Sequence, residues 1–361
     1  MTKMGMNTGA ALVAEGLGEL SHRTVESNER AVALFDRALE GKADFARAYG
    51  GLAQAYVQRT DDLRLGLTWL AQAVEAGTKA LDLDPSLRDA YLALGRVYRI
   101  KGSLSAELQL WQRCAQLDPR DADVSERLGW VLWFTGRPNE ALTWLQTTLA
   151  QRPDGSWTHF FLGNANLALG DYDEAERMYR KAVELEPGHS SGQAGVIWSQ
   201  LAAHRDEEAR AQLHRFQTGS FDGDRYPLKL ADIEYFLGED ANASQHAQDA
   251  LAEPEERYWP RGFLASTILG AILWPTDRAS AEAQLESSEH IDRERVEGGD
   301  EGYMPHVDFA AVEAIRGDAH AACRSLRAAI AAGWRYGSLA SRDRLFENVC
   351  AHEEFLVLLA A

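Results

Sequence analysis

SWTHFFLGNANLALGDYDEAERMYRKAVELEPGH, residues 156–189, decides the fold. Apolar residues recur at helical spacing on both sides of Gly170, so the stretch reads as two short helices joined by a tight turn. Leu162 and Gly163 lie on the first helix, where the missing side chain lets the second approach. Ala175, Tyr179 and Ala182 alternate small and large on the second helix. Pro187 then stops it, because a ring nitrogen donates no hydrogen bond and pushes the preceding residue out of helical geometry.

The same grammar recurs upstream. Pro119, Pro153 and Pro187 fall 34 residues apart, Pro85 stands one period earlier, Leu94-Gly95, Leu128-Gly129 and Leu162-Gly163 open the periods, and Gly102, Gly136 and Gly170 divide them. One helix pair cannot bury its apolar stripe alone, so pairs must stack in series. Over residues 88–187 these motifs resemble the tetratricopeptide repeat. The resemblance implies an all-α, right-handed α-solenoid of antiparallel helix pairs with a concave groove lined by the first helices. It implies no reaction.

At 361 residues and 45% hydrophobic composition the chain can spread a core along a solenoid, with no need of two globular domains. Thirty-seven basic and 55 acidic residues give a net charge of −18, which argues against a nucleic-acid partner. Cys114, Cys323 and Cys350 read as small core fillers. Glu15 and Glu19 interrupt the only apolar stretch near the start, and no stretch matches a membrane span, so a cytoplasmic bacterial protein without membrane contact is expected.

In chain order, residues 1–9 are expected to be disordered, 10–336 to form the solenoid of about eight pairs, and 337–361 to cap its open end. The regular repeats are 88–121, 122–155 and 156–189. VQRTDDLRLGLTW carries an extra eight residues before Pro85, read as an enlarged turn or a longer helix. Glu107 replaces a small residue, so packing there is expected to shift. Residues 190–223 lose both glycines, with Ile197 and His204 in their places, SFDGDRYP reads as a loop, and Pro254 ends a partly recovered copy. Trp274-Pro275 breaks a helix where a turn is due, and VEGGDEG reads as a surface loop. The termini are similar to the repeat domains attached to bacterial adenylate cyclases and winged-helix regulators.

Projecting the first helices onto the groove brings Trp130, Trp133, Phe134, Trp157, Phe160 and Trp198 into one aromatic strip, with Asn164 nearby and Arg96, Arg99 and Arg127 upstream. Such a groove would enclose a protein or peptide segment, its arginines holding a carboxylate or acidic side chain. The carboxylate-clamp constellation of related repeats is matched only at Asn164 and Arg96, so that partner class is not expected. A solenoid end could also pair with its copy, giving a homodimer.

No GxxxxGK or CxxC is present, and no cofactor or catalytic residue is indicated. His204 with Glu208, and His306 with Asp308, are weak metal-ligand spacings. The reading is a repeat adaptor or scaffold, regulatory in role. A small biosynthetic or metal-dependent enzyme using the cavity as its pocket is the alternative.

Overall fold

The computed structural model describes residues 2–40, 45–63, 65–219, 226–252 and 261–360. Residues 220–225 of the expected loop, and Pro254, lie outside them. Every regular element described is helical, and the chain divides into two compact units, Met1–Val124 and Ser125–Ala361.

Unit 1 contains α1 (Thr2–Leu20), α2 (Val25–Glu40), α3 (Ala46–Asp61), α4 (Trp69–Leu83), α5 (Arg88–Ile100) and α6 (Leu104–Leu117). Each helix packs on the next, and the first helices α1, α3 and α5 also pack on one another in order. That is solenoid stacking. Phe35, fully buried, fills the space left by Gly16 and Gly51, whose Cβ atoms would lie 2.6 and 2.4 Å from its ring. Helix α1 starts at Thr2, ahead of the residue-10 start that the sequence suggests. The extra residues before Pro85 form an enlarged α3–α4 connection, with Leu65 and Leu67 exposed. Glu107 is buried within α6 and accepts the Trp111 indole N–H at 3.1 Å, so the ring and the carboxylate fill the position together.

Helix α7 (Ala122–Phe134) contains the division between the units. Unit 2 continues with α8 (Pro138–Gln151), α9 (Ser156–Leu169), α10 (Tyr172–Leu185), α11 (Ser190–Ala202), α12 (Asp206–Thr218), α13 (Tyr226–Leu237) and α14 (Asp240–Leu251). It ends with α15 (Ala265–Leu273), α16 (Arg278–Glu297), α17 (Met304–Ile315), α18 (Ala319–Ala331), α19 (Gly337–Ala340), a 3-10 turn at Arg344–Phe346 and α20 (Glu353–Leu359). The first helices α9, α11, α13, α15 and α17 again touch in succession. Among the described residues, α1 to α18 paired in order make nine pairs, against the about eight that the sequence suggests.

The periodic residues do what their chemistry requires. The residues before the four prolines, Asp84, Asp118, Arg152 and Glu186, cap their helices with ψ of 94, 94, 77 and 90°, out of the helical region as a following proline requires. Gly102, Gly136 and Gly170 turn the chain with φ of +66, +75 and +80°. Helix α20 packs on α18, but the chain that leads to it turns back across the earlier helices of unit 2. Cys114 and Cys323 are buried as core fillers. Cys350 is exposed, a correction to its expected role.

Candidate functional site

The groove residues read from sequence fall into different environments. In unit 1, Arg96 is held by Asp61, the last residue of α3, at 2.6 Å and by Asp62, where the enlarged α3–α4 connection begins, at 3.0 Å. The carboxylates expected from a ligand are therefore supplied by the unit itself. Arg99 is exposed on α5.

In unit 2, the sequence-predicted aromatic residues form two groups and one outlier. On α7, half-buried Trp130 stacks on Phe134 at 5.3 Å, and Phe134 stacks in turn on Tyr303 at 5.1 Å. Trp133 is 4% exposed and donates its indole N–H to the Tyr336 hydroxyl at 3.0 Å. Arg127, half-buried, lies one turn before Trp130. On α9, Phe160 is buried while Trp157 stands 48% exposed against it, edge-on at 5.6 Å. Asn164 is buried and accepts the Tyr179 hydroxyl at 2.8 Å, a structural contact. Trp198 is wholly buried with the Arg261 guanidinium 4.9 Å above it, far from the solvent-facing role that the projection suggests.

His189 completes the α9 group. Its ring lies 4.4 Å from Trp157, and its Nδ1 accepts the Gly192 N–H at 3.0 Å, capping α11. Burial holds its pKa below the usual imidazole range, with Glu186 pulling the other way.

The residues that repeat reasoning missed lie between Gly333 and Phe346. This segment meets successive helix corners of unit 2 in chain order. Gly333 crosses backbone to backbone at Gly136, where a Cβ on either would come within 2.7 Å of the other chain segment. Tyr172 donates its hydroxyl to Ser338 at 2.9 Å. Arg342 binds Asp206 through both carboxylate oxygens at 2.6 and 2.7 Å, and also donates to the Leu201 carbonyl. Arg344 binds Asp240 and donates to the Tyr235 carbonyl at 2.9 Å. Between them Asp343 points inward, 2.7 Å from Arg261, which also lies 2.9 Å from Asp232. A buried guanidinium between two carboxylates satisfies charge that would otherwise be costly to bury.

The weak metal spacings do not assemble. His204 is an exposed turn residue with φ of +60°, and Glu208 is exposed near Arg205 at 3.9 Å. Asp308 is fully buried and accepts from the Leu264 N–H at 3.2 Å, the Thr267 hydroxyl at 2.9 Å and the Ser288 hydroxyl, whereas His306 is half-buried two residues away on the same helix. Residues two apart on a helix face different ways. Among the described residues, three possible ligand atoms come within 4.8 Å of one another at Cys323, His352 and Glu354. Glu354 is already paired with Arg327, whose charge opposes a cation there.

Stacked helix pairs with a glycine-divided period define a helical repeat protein. The particular repeat is the tetratricopeptide repeat: two descriptions of it match residues 122–186 and 160–220. The chain is 29% identical to mouse BBSome complex member BBS4 over 105 residues, 29% of this chain and 20% of that one. It is 28% identical to Saccharomyces cerevisiae heat shock protein STI1 over 121 residues, 31% of this chain and 20% of that one. The matched segments thus span about a fifth of each relative's length. A tetratricopeptide repeat protein from Parabacteroides merdae shares the fold at 13% identity and a TM-score of 0.59, covering 74% of this chain and 99% of that one. A monomeric mutant of IFIT1 shares it at 14% identity and a TM-score of 0.50, over 89% and 71% of the two chains. No described helix is long and apolar enough to cross a membrane.

Proposed function

We propose that the protein is an adaptor that binds a segment of another protein on the first-helix face of unit 2, serving a regulatory assembly. The observation that carries this reading is Trp157, 48% exposed at an inward repeat position beside buried Phe160 and His189. A large ring left in water next to a packed aromatic group favours a partner that covers it. Trp130 and Arg127, one turn apart on α7, add a second ring and a cation suited to an acidic side chain of that partner. The repeat family and the partial likeness to a BBSome complex member and to a heat shock protein support binding of protein rather than chemistry.

The test is capture of protein partners by the full chain and by the Trp130→Ala/Trp157→Ala variant, with bound proteins compared by mass spectrometry. Loss of a defined set of partners, with far-ultraviolet circular dichroism unchanged, is the expected result. An identical set on both chains refutes the reading.

A further inference from the structure

Two corners of unit 2 carry the same pair of acceptors one period apart. At the first, the Leu201 carbonyl near the end of α11 is followed five residues later by Asp206 at the start of α12. At the second, the Tyr235 carbonyl on α13 is followed five residues later by Asp240 at the start of α14. Arg342 takes the first pair and Arg344 the second. Arginines two residues apart thus read acceptors 34 residues apart, each guanidinium fork spanning one carbonyl and one carboxylate. The corresponding position one period earlier is Tyr172, which offers a hydroxyl to Ser338, and one period before that is Pro138. The chemistry is therefore confined to two adjacent corners.

We propose that these corners form a two-seat binding site for an Arg-x-Arg segment of a protein partner, with Arg342 and Arg344 as competitors built into the chain. This rests on unit 2 being a segment-binding repeat array and names a second, charge-selective subsite on it. The seats are open to exchange. Asp206 and Asp240 keep 44% and 45% of their side-chain surface in water with the arginines in place. The backbone around Arg342 and Arg344 is anchored separately, through Asp343 on Arg261 and through buried Leu345 and Phe346. Both guanidinium heads can therefore swing out while the backbone stays seated. Exchange breaks two half-buried ion pairs and the bonds to the Leu201 and Tyr235 carbonyls, all of which an incoming arginine pair remakes, and leaves the core intact. The acidic net charge of −18 favours approach of a basic segment.

The probe is a fluorescein-labelled peptide with the sequence of residues 338–346, SLASRDRLF, titrated into the full chain and followed by anisotropy. Removing the competitors with Arg342→Ala/Arg344→Ala should tighten peptide binding at least tenfold over the unsubstituted chain. Added salt should weaken it again. Adding Asp206→Asn/Asp240→Asn to that variant should abolish binding. Arg342→Lys/Arg344→Lys keeps the charges but loses the forked geometry and should fall between. It also serves if the alanine variant melts early. Peptide binding that is no tighter in either folded variant, or that survives loss of both aspartates, overturns the two-seat site. Failure here with partner capture still dependent on Trp130 and Trp157 removes this subsite alone, and failure of capture with peptide uptake intact removes the aromatic face alone.

Discussion

His204 is the residue at which the period and the backbone disagree. At this place in other repeats stand Gly102, Gly136, Gly170, Gly238 and Gly317, with φ between +66 and +84°. His204 adopts the same left-handed turn at +60° with a side chain attached. That conformation costs a non-glycine residue roughly 1–2 kcal/mol, partly offset by the unfolded-state entropy that glycine adds. His204→Gly should accordingly stabilise the protein by about 0.5–1 kcal/mol, read as a higher urea midpoint at unchanged slope. The position was legible as a broken period, and its histidine is a turn residue under strain. His189 carries a pH signature. Its folded-state pKa lies below the unfolded value because burial disfavours the charged ring, with Lys229 acting in the same direction and Glu186 against it. A lowered imidazole pKa gives stability that is full above the unfolded value of about 6.5 and is lost as pH falls from there through the lower folded value. Thermal midpoints taken from about pH 7.5 to about pH 5.5 should fall more for the unsubstituted chain than for His189→Asn, which keeps a capping acceptor without titrating there.

Pairing of helices depends on a second set of glycines, sixteen residues ahead of the rings and side chains that they admit. A Cβ at Gly95 would stand 2.2 Å from the Trp111 ring, at Gly129 2.4 Å from Leu145, and at Gly163 2.5 Å from the Tyr179 ring. Tyr179 is wholly buried, with its hydroxyl on Asn164, so it has little room to retreat. Gly163→Ala should cost about 1–3 kcal/mol through overpacking of the α9–α10 pair. Gly188→Ala is the matched control, since nothing lies within 4 Å of its added carbon and surface changes stay within about 0.5 kcal/mol. Denaturant unfolding of both variants checks the contrast. At this scale most of the fold was legible, because glycine, proline and the small-large stripe act on neighbours within one period. The enlarged α3–α4 connection was legible as surplus length, but not that Asp61 and Asp62 would close on Arg96. The aromatic strip was only half legible. Trp133 reads as groove lining until Tyr336, 203 residues later, supplies its hydroxyl. Trp198 likewise needs Arg261, which lies outside any repeat position that the period defines. Contacts of that kind follow no register, so no spacing announces them.

For the whole molecule, the consequence is that unit 2 departs from the one-dimensional behaviour of a repeat array. In an open solenoid each repeat contacts only its neighbours, and stability is a sum of local terms that can fray from an end. Here the first helix of the unit is tied to its last segments: Trp133 binds Tyr336, Phe134 stacks on Tyr303, and Gly333 crosses the backbone of Thr135 and Gly136. These ties couple α7 to residues 333–336, so the two should open together. Gly333 is the place to break them. It has φ of +111°, and an added Cβ would lie 2.6 Å from the Thr135 carbonyl carbon. Alanine there meets both an unfavourable backbone conformation and immovable main chain, a combined cost of at least about 2 kcal/mol. Hydrogen exchange read by mass spectrometry should show peptides from α7 and from 333–346 protected to the same degree in the unsubstituted chain. In Gly333→Ala both should lose protection together, by roughly tenfold or more in rate for each ~1.4 kcal/mol lost, while α1 to α6 keep theirs. If α7 retained full protection as 333–346 opened, the ties would be passive contacts, and unit 2 would behave as an open array.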